Sequence, residues 1–208
     1  MYQNAKKVSK KEFPDEVATR QYGFNCVNVP EDGNCLFHAV IHQVQARRNE
    51  INCTHEILAG LTGHDVASEE LHMILRRKIV RYVDLNREQY EPQLNIDANG
   101  NIDMYLANMN QWGTWGDGTV IAAIKNVLQI NVILLTPNGG VTRYVHANPI
   151  GTVFLEYNGS HYKSLVDNIE NLRDTNIAAN RRRLLKGEAE TTQPHSNMHN
   201  SPRQRYSI

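Results

Sequence analysis

The sequence predicts an α+β (α/β-like) domain in which a small central β-sheet is flanked by helices. Helical periodicity fills the middle of the chain, between about residues 35 and 128. Strand-like segments are concentrated in the last third, and one more precedes the first strong helix. Helices and strands that are largely segregated along a chain are typical of α+β folds.

The composition indicates one ordinary domain in a reducing compartment. A chain of 208 residues has the size of a single domain with a short extension. Lys and Arg together number 22, as do Asp and Glu, and a net charge of zero argues against a dedicated nucleic-acid binder. Three cysteines indicate free thiols rather than a disulfide framework. Neither a secretory leader nor a bilayer-spanning apolar stretch is apparent, so we expect a cytoplasmic monomer without membrane contact.

The first third of the chain contains one strand and one helix. Residues 1–20 are polar, and we expect an N-terminal arm or a poorly packed first helix there. FNCVNV (24–29) is rich in β-forming residues and predicts a strand, which the turn residues PEDGN (30–34) end. The apolar residues that follow have helical spacing, so a helix is predicted to start at or just before Cys35.

The middle of the chain is helical and charged. Ser68, followed by two glutamates, predicts a helix start, and an apolar stripe continues to about Leu85. The basic run of Arg76, Arg77 and Lys78 is predicted to lie on the solvated side of this helix. A second, shorter helix is predicted for 102–109.

A glycine-punctuated loop leads into the next helix. The loop is GTWGDG (113–118), and Thr119 is predicted to cap the helix that follows. The two tryptophans here, Trp112 and Trp115, are expected to act mainly as core anchors.

Two hairpins are predicted in the last third. INVILL (130–135) is continuously apolar, as expected for a strand buried on both faces, and PNGG connects it to VTRYVH (141–146). VFLEY (153–157) is predicted to pair with HYKSLV (161–166) across the turn NGS.

The end of the chain changes character again. A charged, helix-prone stretch follows Asp167 and ends near RRRLLK. Residues from about Gly187 onward are polar and show no apolar periodicity, which predicts disorder. We therefore separate 171–208, as a C-terminal extension, from the folded domain.

The segment Asp32-Gly33-Asn34-Cys35 is suited to thiol chemistry. A cysteine at a helix N-terminus lies at the positive end of the helix dipole, which predicts a lowered pKa for the thiol. Gly33 allows the loop to turn its amides inward, where with Asn34 they would hold an oxyanion. The pattern is equally consistent with a buried structural cysteine that starts a helix.

Histidines supply a candidate base and a weak candidate metal pair. His161 begins the last predicted strand directly after a turn, a rigid and accessible place for a general base, although a lone histidine is more often structural. His38 and His42 stand four residues apart on one predicted helix, a spacing that can hold a metal. No third ligand is apparent, so we predict packing roles for both, and neither a metal nor a cofactor.

Three motifs in order resemble the ovarian-tumour (OTU) family of deubiquitinases. They are DGNCLF (32–37), WGDGTVIAAIKNVLQINVILL (115–135) and FLEYNGSHYKSL (154–165). The resemblance implies a papain-like cysteine protease fold over 21–170. Residues 53–110 would form a helical ubiquitin-binding arm.

The resemblance also implies a reaction, the hydrolysis of isopeptide bonds at the C-terminal glycine of ubiquitin. Cys35 would be the nucleophile and His161 the general base, with Asp32 among the catalytic residues at the start of the oxyanion loop. The residues expected to bind substrate are Trp115, Gly116 and Tyr162. The partner would be ubiquitin or polyubiquitin, or another ubiquitin-like modifier, in the cytoplasm or in a host cytosol if the protein is a secreted effector.

One position departs from the family pattern. Many members place Asn or Asp two residues after the histidine to orient its ring, and here that residue is Lys163, which has no acceptor. Asn28, on the strand leading into the cysteine motif, is the best replacement, and Asn25 and Asp167 are weaker ones. Lys163 also keeps open a catalytically impaired ubiquitin-binding module of the same fold.

Overall fold

The computed structural model describes residues 16–47, 68–94 and 101–187, where five strands form a single sheet. The strands are β1 (Phe24–Val27), β2 (Asn131–Leu135), β3 (Val141–Tyr144), β4 (Thr152–Tyr157) and β5 (Tyr162–Asp167). Their order is β1-β5-β4-β2-β3, with β2 and β4 parallel and the other pairs antiparallel. Both predicted hairpins, β2–β3 and β4–β5, are confirmed.

Helices lie before, between and after these strands, which confirms the predicted α+β class. They are α1 (Glu16–Tyr22), α2 (Cys35–Ala46), α3 (Ser68–Leu85), α4 (Arg87–Tyr90), α5 (Ile102–Met109), α6 (Gly118–Leu128) and α7 (Thr175–Lys186), with 3-10 turns at Glu91–Gln93 and Asn171–Arg173. The predicted starts of α2, α3 and α5 are confirmed. None of the described helices combines the length and apolar character needed to cross a membrane.

Each face of the sheet carries its own hydrophobic cluster. Val132, Leu134 and Leu155 belong to the first cluster, with α2, α3, α5 and α6. Ile133, Leu135 and Phe154 belong to the second, with α1 and α7. Because successive strand residues point to opposite faces, burial of both faces explains why β2 is continuously apolar.

Helix α2 is fixed to the sheet by the fully buried side chain of Gln43. Its Nε2 donates to the Ser164 hydroxyl at 2.9 Å and to the Leu165 carbonyl at 2.8 Å, both on β5. Its Oε1 accepts from the Phe154 amide of β4 at 2.9 Å. A buried polar side chain with all its groups paired defines one orientation of the helix, and so fixes where Cys35 lies.

The two ends of the described chain pack together on the second face. Nε of Arg181 in α7 donates to the Tyr22 carbonyl of α1, and its guanidinium also pairs with Asp167. The division of the chain at residues 20 and 171 stays a prediction. Residues 1–15, 48–67, 95–100 and 188–208 lie outside the described residues, and they include most of the predicted N-terminal arm, parts of the helical arm (53–110) and the tail.

The cap of α6 differs from the prediction. The helix begins at Gly118, and Asp117 caps it by accepting from the Val120 amide at 2.9 Å. Thr119 was the wrong choice because it already lies inside the first turn. Asp117 also accepts from the Tyr105 hydroxyl at 3.0 Å, which ties α6 to α5.

Candidate active site

Cys35 is the first residue of α2, and its side chain is buried, with 6% exposed. Three backbone amides act on the sulfur: its own, that of Leu36 and that of Tyr162. The first two come from the open N-terminus of the helix, where amides have no partner within the helix. The third amide comes from Tyr162, the residue after His161. The fold therefore brings the motif around Cys35 (the cysteine motif, 32–37) against the motif around His161 (the histidine motif, 154–165).

Burial raises the pKa of the Cys35 thiol above its ordinary value. The three amides act in the opposite direction, and the Asp32 carboxylate adds a smaller upward contribution. The predicted lowering was therefore wrong for this state of the protein, since the loss of solvent outweighs the helix dipole. The thiol is protonated at neutral pH and requires a base to remove its proton.

His161 lies just before β5 and is held by the turn that precedes it. Its backbone amide donates to Oδ1 of Asn158 at 2.8 Å, and the Ser160 amide donates to the same oxygen at 3.0 Å. Gly159 between them has a φ of +99°, which favours glycine. The predicted tight turn thus fixes the backbone of the histidine.

The imidazole of His161 is buried, which makes it a weaker base than a free imidazole. Burial lowers its pKa, the Glu31 carboxylate acts to raise it, and Lys163 acts to lower it. Its Nε2 is buried and has no hydrogen-bond partner within the described part of the chain. At neutral pH the ring is uncharged, and no acceptor orients it through Nε2.

The weaker candidates for the orienting residue lie far from this ring. Asp167 is six residues further along β5, about 20 Å at the rise of a strand, and pairs with Arg47 at 2.8 Å. Asn25 accepts from Asn168 at 3.0 Å near that same end of β5. Neither can orient the imidazole.

Asn28 and Glu31 remain near the histidine motif. Asn28 follows the end of β1 and is exposed, and it makes no hydrogen bond to the imidazole among the described residues. Glu31 was not singled out from the sequence, although it belongs to the turn before the cysteine motif, and its charge acts on His161.

Lys163 occupies the position where many family members carry the orienting residue. Its Nζ lies 3.7 Å from Oε1 of Glu156, which is directly opposite on β4 and only 2% exposed. Alternation along β4 places Glu156 on the same face as Phe154, away from the cluster that contains Cys35. The lysine therefore serves a buried ion pair on the other face of the sheet.

The loop before Cys35 is closely packed and hydrogen-bonded. Gly33 has a φ of +80°, and a Cβ there would lie 1.9 Å from the carbonyl oxygen of Gly113. Asn34 is buried, and its backbone amide donates to Oδ1 of Asp32 at 2.8 Å. This amide, predicted for the oxyanion, is therefore occupied in this state.

Asp32 shapes the loop through its hydrogen bonds, and it acts on the Cys35 sulfur through its charge. Partial burial acts to raise its pKa, but the hydrogen bonds from Asn34 and His38 bring it below the ordinary value. Nε2 of His38 lies 3.2 Å from Oδ2 of Asp32. In this geometry Asp32 holds the loop through these hydrogen bonds, and its catalytic role stays a prediction.

Arg76 is fully buried, so its predicted exposure was wrong. Its Nη2 donates to Oδ1 of Asn34 at 2.7 Å and to the Thr114 carbonyl at 2.6 Å, and its Nη1 donates to the Met109 carbonyl at 2.9 Å. Burial lowers its pKa to about 10, which leaves it charged at neutral pH. Its guanidinium also lies over the Phe37 ring at 4.2 Å. Arg76 therefore joins α3 to the loop before Cys35 (the cysteine loop, 30–34) and to the loop before α6 (the tryptophan loop, 110–117).

The tryptophan loop places its aromatic side chains at the surface. Trp112 and Trp115 are 64% and 50% exposed, so the prediction that they anchor the core was wrong. Gly116 packs against Leu36, since a Cβ there would lie 2.4 Å from Leu36 Cδ2. The Tyr162 ring is 5% exposed and packs in the core, so it offers no surface to a substrate, contrary to the prediction.

One group of possible metal ligands lies beside the cysteine loop. The ligand atoms of Asp32, His38 and His72 all lie within 4.8 Å of one another. His42 instead contacts the Ser164 hydroxyl at 2.7 Å. His42, for which a packing role is predicted, does not belong to this group, and the third ligand, His72 of α3, was not recognised in the sequence.

Known proteins are similar to this chain in sequence and in fold. A protein of Tipula iridescent virus is 28% identical over 133 residues, which cover 59% of this chain and 13% of the viral protein. The ubiquitin thioesterase otu2 of Schizosaccharomyces pombe is 25% identical over 155 residues, which cover 69% of this chain and 46% of the yeast protein. The chain thus spans less than half the length of these relatives. The OTU domain of OTUD1 has a TM-score of 0.51 at 21% identity, covering 71% of this chain and 89% of that domain, a likeness of fold.

The family model for OTU-like cysteine proteases matches residues 30–166. This match covers more than half of the chain and includes both Cys35 and His161. Since the same two residues lie in motifs that the sheet and α2 bring into contact, sequence and geometry agree, and the chain belongs to the OTU-like cysteine protease family.

Proposed function

We propose that this chain is a cysteine-type deubiquitinase that hydrolyses isopeptide bonds at the C-terminal glycine of ubiquitin. The observation that carries the proposal is the contact between the Cys35 sulfur and the amide that follows His161, in a chain of this family. The name of the yeast relative, a ubiquitin thioesterase, supports ubiquitin as the substrate.

The proposed chemistry starts from a neutral pair. The uncharged imidazole of His161 removes the proton from the buried Cys35 thiol as the sulfur attacks the glycine carbonyl carbon. The imidazolium then protonates the departing lysine amine, and a thioester remains on the sulfur. Water attacks the thioester with His161 again as the base, and the thiol is restored.

The oxyanion requires amides that are free to donate. Because the Asn34 amide is held by Asp32, we propose that the Cys35 amide, which faces its own sulfur, is the main donor. Gly33 and Asn34 then act by keeping the loop in the conformation that presents this amide.

The orienting group for His161 is proposed to be Asn28 or Glu31. The buried Nε2 without a partner is where an acceptor would act. Asn28→Ala and Glu31→Gln can be compared by kcat, since removing the orienting acceptor lowers kcat through a misplaced ring while leaving substrate binding intact.

Substrate contacts are proposed for the exposed tryptophan loop and the helical arm. Trp115 is half exposed beside Gly116, which packs on the cysteine motif. Exposed aromatic side chains of this kind commonly anchor protein partners. The arm (53–110) is proposed to hold the globular body of ubiquitin, with polyubiquitin as the natural partner of a monomeric enzyme.

The test is a ubiquitin probe with a C-terminal electrophile, followed by a panel of di-ubiquitin linkages. We expect a covalent adduct that Cys35→Ala abolishes, and cleavage of at least one linkage. Parallel probes built on other ubiquitin-like modifiers check the modifier. No adduct at Cys35, or an equal adduct on the Cys35→Ala protein, would refute the proposal.

A second candidate function is a ubiquitin-binding module with impaired turnover. It is favoured by the raised pKa of the Cys35 thiol and by the unpartnered Nε2 of His161, both of which disfavour proton transfer. Tight ubiquitin binding without cleavage of any linkage would establish this function instead of the first.

A further inference from the structure

We propose that Asp32, His38 and His72 form a binding site for a divalent transition-metal ion of the Zn²⁺ class, beside the cysteine loop. The three residues come from different parts of the fold: the loop before α2, the start of α2, and α3. Their ligand atoms all lie within 4.8 Å of one another. This site is independent of the proposed hydrolysis, which uses no metal.

The distances are close to those of a metal-bound set. Nε2 of His38 and Oδ2 of Asp32 are 3.2 Å apart, and ligand atoms on one tetrahedral Zn²⁺ are about 3.4 Å apart for bonds of about 2.1 Å. A pair of ligand atoms at the 4.8 Å limit of the group would have to close by roughly 1.4 Å to reach that tetrahedral spacing. Asp32 and His38 are partly exposed and not enclosed in the core, so we expect their side chains to supply this shift.

The arrangement of the two imidazoles also fits a shared ion. The ring centroids of His38 and His72 are 4.3 Å apart with an interplanar angle of 41°. Two imidazoles bound through nitrogen to one tetrahedral Zn²⁺ would place their centroids roughly 5.2 Å apart, so the two rings would separate by about 0.9 Å when the ion binds. Two rings this close repel each other when both are protonated, whereas a cation between their nitrogen lone pairs attracts both.

The chemistry of the donors selects the class of metal. Two imidazole nitrogens and one carboxylate oxygen suit Zn²⁺ and its neighbours better than Mg²⁺ or Ca²⁺, which prefer all-oxygen sites. His72 is 5% exposed, so packing limits the freedom of one ligand before the ion binds. Three protein ligands leave a fourth position for water, and the side chains of His38 and Asp32, which are 16% and 25% exposed, give solvent access to the site.

The hydrogen bonds of Asp32 link this site to the cysteine loop. Oδ2 faces His38, while Oδ1 accepts from the Asn34 amide at 2.8 Å. An ion bound at Oδ2 would therefore share a carboxylate with the loop that presents Cys35. Occupancy is expected to hold α3, α2 and this loop together.

Cobalt spectroscopy on the full chain tests the site. The protein carries Cys35→Ala, so that the nucleophile cannot act as a ligand, and Co²⁺ is added while visible absorption is followed. We expect one equivalent of Co²⁺ to give ligand-field bands of a low-coordinate N/O site, which Zn²⁺ displaces. The melting temperature should rise when Zn²⁺ is present.

Matched histidine variants locate the binding. His38→Gln and His72→Gln are each expected to remove the bands and to weaken binding at least tenfold. His42→Gln, on the same helix as His38 but bonded to Ser164, is expected to keep them. Circular dichroism checks folding, and the half-buried His38→Gln decides if the buried variant does not fold.

Three results would overturn the proposal: no ligand-field bands in the Cys35→Ala protein, bands that persist in His38→Gln, or sulfur-to-cobalt charge-transfer bands that indicate cysteine ligands. Because the measurement is made on protein without its nucleophile, it is separate from the test of deubiquitinase activity. A failed metal test leaves the proposed hydrolysis standing, and the reverse also holds.

Discussion

Replacement of Arg76 by methionine tests the buried contact between α3 and the two loops of the site. Methionine keeps much of the apolar stem and removes every donor. The carbonyls of Met109 and Thr114 lose the donor that the guanidinium provides, whereas Oδ1 of Asn34 keeps the Gly113 amide at 3.2 Å.

The expected loss of stability in the Arg76→Met protein follows from the two carbonyl acceptors that lose their donor. A buried acceptor left without its donor costs about 1–3 kcal/mol, so two of them cost about 2–6 kcal/mol. Removing the desolvation penalty of a buried charge offsets part of this. We therefore expect the free energy of unfolding to fall by about 2–4 kcal/mol, out of the roughly 5–15 kcal/mol of a typical domain.

Urea denaturation followed by circular dichroism measures the loss, and Arg77→Met is the matched control. Arg77 is the next residue on α3 and is exposed, so its replacement should change stability by no more than about 0.5 kcal/mol. In Arg76→Met protein that remains folded, kcat should fall about tenfold or more, because the cysteine loop loses its support. Arg76→Lys should recover part of the stability. Equal unfolding curves for Arg76→Met and Arg77→Met would refute this reasoning.

Three further predictions concern the backbone, the thiol and the second face of the sheet. Gly33→Ala should lower the urea midpoint far more than Gly159→Ala. Both glycines have a positive φ, but only at Gly33 would the added methyl group meet another loop. Similar losses in the two variants would contradict this reasoning. The rate of Cys35 alkylation by iodoacetamide should still rise above pH 8.5, the ordinary thiol pKa. The reason is that the reactive thiolate forms only as the pH passes the raised pKa of this thiol. A rate that reaches a plateau below pH 7 would instead indicate a thiolate–imidazolium pair. Asp167→Asn should lower the free energy of unfolding in urea by about 2–4 kcal/mol, since the guanidinium groups of Arg47 and Arg181 lose their carboxylate partner. A urea midpoint equal to that of the wild type would show that these two ion pairs contribute nothing to stability.

Local signals in the sequence were sufficient for the longer elements and for the motifs around Cys35 and His161. Turn residues before Cys35 and helical spacing after it place the cysteine at a helix start, and the structure has α2 begin there. Continuous apolar character in β2 correctly predicts burial on both faces. These features depend on neighbours within a few residues.

Features that depend on distant partners were missed. The pKa of Cys35 is set by burial, a property of the folded chain that the helix-dipole argument cannot supply. Arg76 was assigned to the surface because of its basic neighbours, although its spacing from the buried His72 and Ile79 already places it on the apolar stripe of α3. Its acceptors lie before and after that helix in the sequence, at Asn34, Met109 and Thr114, which no local pattern reveals.

The contact between Gly33 and Gly113 limits how this protein can be redesigned. A contact made by main chain on both sides has no side chain whose size can be adjusted, so neither loop can be remodelled without the other. Libraries intended to change substrate preference should therefore vary the exposed Trp112 and Trp115 and leave the glycine junction unchanged. Randomising the whole segment is expected to yield mainly inactive clones.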